Sequence, residues 1–100
     1  MMELSVLREK VLSDCAPNEA FWTCNGTVCR NIYELESNIR ALNEWAFRYH
    51  VNLDNGKNDF ARWIEDVIKD HELAARLGRT TDRDRYVDII HQRIRELECN

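Results

Sequence analysis

In the stretch NDFARWIEDVIKD, the apolar residues Phe60, Trp63, Ile64, Val67 and Ile68 fall at i, i+3, i+4, i+7 and i+8. That period gathers all five on one side of an α-helix. A helix with one apolar face must bury it against another element. The same period recurs along the chain. Leu4, Leu7 and Val11 form a stripe within residues 3–14, Ile32, Leu35, Ile39 and Leu42 a second, and Tyr86, Ile90, Ile94 and Leu97 a last one. One proline and three glycines in 100 residues leave little material for tight turns, which disfavours a β-sandwich. The expected fold class is therefore all-α: a compact single domain, residues 1–100, of five to six helices packed as a bundle. There is room for one small β-hairpin at residues 21–29, where Asn25-Gly26 is a turn signal between strand-favouring residues.

The helix ends are marked by polar residues. Asn31 and Glu34 have capping-box spacing, and Asn58 precedes Asp59, a carboxylate suited to a helix N-terminus. Ala16-Pro17-Asn18 breaks the first helix, and NEWAFRYHV has the length of one or two helical turns. A short helix at 71–77 is expected to stop on Gly78 as its C′ residue. The C-terminal helix, 81–98, is expected to start at Thr81 with Asp84 three residues on.

The charge pattern narrows the function classes. The net charge is −4, and eleven of the fourteen cations are arginine, interleaved with Asp and Glu. Such interleaving reads as solvated helix surface, whereas a general nucleic-acid binder needs a basic footprint. HELAARLGRTTDRDRYVDIIHQR has the outline of a DNA-binding helix-turn-helix. However, Arg79 and Asp84 stand where that motif wants apolar residues, and Asp82, Asp84 and Asp88 would repel phosphate. Nucleic acid is therefore not the expected partner. No window approaches 18 apolar residues, and the N-terminal MMELSVLREKVLSDC lacks an apolar signal core. The expectation is a cytoplasmic protein with no membrane partner.

Four residues separate Cys24 from Cys29, with Cys15 and Cys99 elsewhere. Three readings stay open. The pair could contribute to a zinc site, although only two ligands arrive together. They could face each other across the hairpin as a disulfide. Or Cys24 is a small buried hydrophobe and Cys29 incidental. No catalytic set stands out, although Cys24 and His50 are of the residue types that form a nucleophile and base pair. No cofactor is implied.

The stretch YHVNLDNGKNDFARW, residues 49–63, concentrates polar residues between two apolar segments. Most have ordinary structural jobs: His50 near a helix end, Asn52 and Asn55-Gly56 for turn geometry, Asn58 as a cap, Phe60 and Trp63 for packing. Two residues are left over: Lys57, because a cation beside a helix N-terminus sits on the unfavourable side of the dipole, and His50, which could also serve as a switch or a contact. The candidate ligand-binding set is His50, Asn52, Lys57, Asn58, Asp59 and Trp63. With the faces of Trp45 and Trp63 it would form a small anion-accepting pocket.

The elements FWTCNG, NIYELESNI, FRYHVN and KNDFARWIEDVIKDHELA resemble a family of short archaeal and bacterial proteins known only as a domain of unknown function. The resemblance runs from about Phe21 to Leu77. Its recurrent pieces are Tyr49 to Asn52, then Lys57 to Ala61 and Trp63; Cys29 and the Arg-rich last helix lie outside it. It implies a helical fold and no chemistry. The functional expectation is a non-catalytic protein-interaction or assembly module, docking on a protein partner or as a homo-oligomer. The alternative is a small-ligand or anion-binding regulatory protein using residues 50–63.

Overall fold

The computed structural model describes residues 4–99. Six α-helices lie among them: α1 (Leu4–Val11), α2 (Ile32–Ala41), α3 (Glu44–His50), α4 (Asp59–Trp63), α5 (His71–Leu77) and α6 (Arg83–Glu98). The hairpin expected at 21–29 is present as β1 (Phe21–Trp22) and β2 (Val28–Cys29), in the register Phe21↔Cys29 and Trp22↔Val28. A second hairpin, not expected, joins β3 (Val51–Asn52) to β4 (Lys57–Asn58), so the polar loop after His50 is a paired ribbon. No helix among the described residues is long and apolar enough to cross a membrane.

The apolar stripes meet where the period says they should. α6 packs against α2, α5 and α1, burying Tyr86, Ile90, Ile94 and Leu97 against Ile32, Leu35, Ile39 and Leu42. Val11 is buried and Leu7 partly so, while the side chain of Leu4 lies outside the described residues. At the centre, the ring of Tyr86 stands edge-on to Phe47 at 5.0 Å, with Phe60 at 6.1 Å from both. Edge-to-face arrangements suit the aromatic quadrupole.

Caps decide the boundaries. Asn31 and Asn58 accept the N–H groups of Glu34 and Ala61 at 2.8 and 3.1 Å, as expected. Glu34 answers one residue early, accepting from the N–H of Arg30 at 2.9 Å. The cap of α6 is Asp82, not Thr81: its carboxylate accepts the N–H of Asp84 at 2.9 Å. An ionised carboxylate is a better acceptor there than a hydroxyl.

The expected helix from Asn58 to Ile68 changes character. After Trp63, residues Ile64–Ile68 wind as a π turn, and the N–H groups of Lys69 and Asp70 both reach the Ile64 carbonyl, at 2.6 and 3.3 Å. The left-handed residue that closes it is Lys69 (φ 66°), whereas Gly78 stays right-handed at φ −66°. α5 does stop at Gly78, as expected, with that glycine right-handed, while the strained left-handed residue is Lys69, at the end of the preceding turn. An L-residue in this region costs about 1–2 kcal/mol, partly balanced by glycine's larger unfolded-state entropy. Lys69→Gly should raise stability by about 0.5–1 kcal/mol, seen as an increase of a few degrees in Tm. An unchanged or lower Tm would mean the turn is not strained.

The widened turn brings Asp70 inside the fold, where it is 1% exposed. Its carboxylate takes Arg93 of α6 in a two-pronged bond at 2.8 and 3.0 Å and also caps α5 by accepting the N–H of Leu73 at 3.2 Å. Burial alone would lower the pKa of Arg93. The hydrogen bond and charge of Asp70, with help from Glu96, outweigh it and leave the guanidinium above its ordinary value. Losing one partner of such a pair strands a buried charge, so Asp70→Asn should cost about 3–5 kcal/mol. Asp70→Leu with Arg93→Met should recover most of that loss in urea unfolding. A double variant as weak as the single one would contradict this reading.

Candidate functional site

His50, the last residue of α3, is 4% exposed and stands where three segments converge. Its Nε2 lies 3.0 Å from the backbone nitrogen of Cys24, and its Nδ1 lies 2.9 Å from Oδ2 of Asp59. A backbone N–H can only donate, so Nε2 must present its lone pair. The ring proton is then on Nδ1, donated to the Asp59 carboxylate. The rings of Phe21, Tyr49 and Phe60 surround the imidazole at 5.0–5.2 Å. His50 therefore fastens the turn of the first hairpin to the end of α3 and the start of α4.

Asp59 passes the arrangement outward. Lys57 Nζ is 3.6 Å from the same Oδ2 and sits 4.0 Å from the centre of the Tyr49 ring. A cation over a tyrosine face is attracted by the ring's negative quadrupole. Lys57, which sequence spacing leaves without a role, is thus held by a carboxylate and a ring. Tyr49 in turn packs at 6.1 Å from Trp45, one turn earlier on α3. Trp45 is 71% exposed and Tyr49 51% exposed, so two large aromatics lie side by side on the outside of α3.

The six residues of the expected ligand set do not converge on one cavity. Lys57, Asn58 and Asp59 line a hollow of about 360 Å³ together with Asn55, Gly56 and Arg62. Asn52 lines a different one, about 300 Å³, with Arg48, Val51, Asp54 and Thr81. His50 lines neither. Trp63 is buried, its indole N–H donating to the Glu19 carbonyl at 2.7 Å, so it does not face Trp45 across a pocket.

The cysteines sit differently from each reading of the sequence. Cys29 pairs opposite Phe21, and Cys24 lies in the turn beyond the strands, so the two are not cross-strand partners for a disulfide. Their burial is the reverse of the third reading: Cys29 is fully buried and Cys24 exposed. Burial raises the Cys29 thiol pKa, partly offset by the Asn38 amide at 3.1 Å. Cys24 and His50 do meet, but through the backbone N–H of Cys24; its Sγ points to the Ala46 carbonyl at 3.8 Å. No cluster of three or more His, Cys, Asp or Glu suited to a metal ion occurs among the described residues.

No family model, curated protein or solved structure matches this chain. The resemblance described above rests on the quoted residues alone.

Sequence reasoning missed the partner of His50, because a backbone N–H carries no side-chain signature. It also missed the exposure of Trp45 and Tyr49. A usable signal was there: Ala46, Phe47 and His50 take the inner face of α3, which turns residues 45 and 49 outward. His50→Leu would leave the Cys24 N–H without its acceptor and should lower stability by about 1–3 kcal/mol, with an unchanged urea m-value. Asp59→Asn keeps an oxygen acceptor for Nδ1–H and should cost less. Equal losses for the two variants would place the weight on the Asp59 charge instead.

Proposed function

We propose that this chain is a non-catalytic protein-interaction module whose contact face is the outer side of α3, with Trp45 and Tyr49 as anchors and Lys57 beside them. The observation that carries this reading is the pair of exposed, adjacent aromatics on a helix fixed from behind by His50. Trp and Tyr supply much of the energy at protein interfaces, and do so best when held rigid before binding. Both ring nitrogens of His50 are engaged within the fold, which supports a positioning role for it rather than a reactive one. Anion binding by the 50–63 segment is the weaker reading. The carboxylate of Asp59 already occupies the start of α4 and engages Lys57.

A photo-crosslinking amino acid in place of Trp45, expressed in the native host, should give one discrete adduct. The same group in place of Arg95 on α6 should give none, and Tyr49→Ala should reduce the yield at 45. An adduct of twice the chain mass would identify a second copy as the partner. No adduct at 45, or the same products from both positions, would overturn the proposal. Replacing Trp45, which is exposed, should itself change stability by no more than about 0.5 kcal/mol, so absence of an adduct could not be ascribed to unfolding.

A further inference from the structure

A groove of about 390 Å³ runs between the end of α5 and the exposed side of α6, well away in sequence from the His50 cluster. Its α6 wall is Arg85, Ile89, Gln92 and Glu96, at steps of four, three and four, which is one stripe of a helix. Its other wall is Arg76 and, past Gly78, Arg79.

The charges that line it are not all paired. At the Glu96 end every charge is answered. Arg76 takes both oxygens of Glu96 at 2.9 and 3.1 Å and reaches Glu72 at 3.2 Å, while Arg93 joins Glu96 at 3.1 Å. The hydrogen bond from Arg76, followed by that from Arg93, holds the Glu96 carboxyl below its ordinary value. Arg79 and Arg85, which line the same groove, are exposed, and no hydrogen bond or ion pair engages either guanidinium among the described residues. The nearby carboxylates are occupied or turned aside: Asp82 caps α6, Asp84 pairs with Arg83 at 3.7 Å, and Asp88 does not line the groove. The positive end of the α6 dipole adds to the field there.

We propose that this groove binds a small phosphomonoester, its dianionic head between Arg79 and Arg85 and its organic body along Ile89 toward Gln92. Guanidinium groups present paired N–H donors that match phosphate oxygens. Ile89 offers the apolar patch that free phosphate cannot use, and Glu96 at the far end disfavours a second anionic group. A polyanion such as duplex DNA would extend past the two arginines onto Asp82, Asp84 and Asp88, where it would be repelled.

The test is titration of the ¹⁵N-labelled protein with phenyl phosphate at constant ionic strength, following the backbone amides and the arginine Nε–H signals. Saturable shifts are expected at Arg79, Arg85, Ile89 and Gln92, with inorganic phosphate binding more weakly at the same residues. Arg79→Ala with Arg85→Ala should weaken phenyl phosphate at least about tenfold, since each loses a charge-assisted bond. The unperturbed remainder of the spectrum would show that this variant is folded. Arg79→Lys with Arg85→Lys should restore binding only in part, whereas Arg95→Ala should leave it intact. Three results would overturn the proposal: no saturable shift at Arg79 and Arg85, shifts that persist in the double alanine variant, or tighter binding of a DNA duplex than of phenyl phosphate at physiological salt.

Discussion

The imidazole of His50 is the joint on which the site half of this molecule depends. One nitrogen accepts from the turn of the first hairpin and the other donates to the first residue of α4, while the residue itself ends α3. Neither hairpin could hold such a position unaided, because strands of two residues contribute little pairing energy and isolated hairpins are marginal in water. The second hairpin spans the distance between His50 and Asp59, so this bond also closes the loop it belongs to. The order of Lys57, Tyr49 and Trp45 at the surface follows from the same carboxylate. The contact face and the buried histidine are therefore two ends of one chain of contacts.

The opposite half is tied by a different device. Asp70, brought inward by the π turn and the left-handed Lys69, reaches Arg93 and starts α5 with a single carboxylate. Beyond it, Arg93, Glu96, Arg76 and Glu72 alternate in sign along the α5–α6 seam. Arg79 and Arg85, which line the same groove, have no such partner among the described residues.

The helices were legible because burial imposes a period on the sequence. Ile32 to Leu42 and Tyr86 to Leu97 repeat at helical steps, and the core includes those residues. Local chemistry was legible where one residue decides it, as at Asn31 and Asn58. It failed where two neighbours compete, as at Thr81 and Asp82, and where the backbone departs from the regular helix. No spacing rule announces a π turn, and none announces the left-handed Lys69 that closes it. The site was half legible. The segment 49–63 does hold His50, Asp59 and Lys57 in contact, but the partner of His50 is 26 residues away and offers only its main chain. The orientation of Cys24 and Cys29 depends on hairpin register, and a one-residue slip reverses every side chain.

His50 is a neutral clamp, with its proton on Nδ1 and its Nε2 lone pair spent on the Cys24 N–H. A long-range ¹H–¹⁵N correlation spectrum of the histidine side chains reads this directly. The structure predicts a protonated Nδ1, an unprotonated Nε2, and a through-hydrogen-bond coupling from that nitrogen to the Cys24 amide. A ring protonated on Nε2, or on both nitrogens, would contradict it, because the Cys24 N–H would then have no acceptor there.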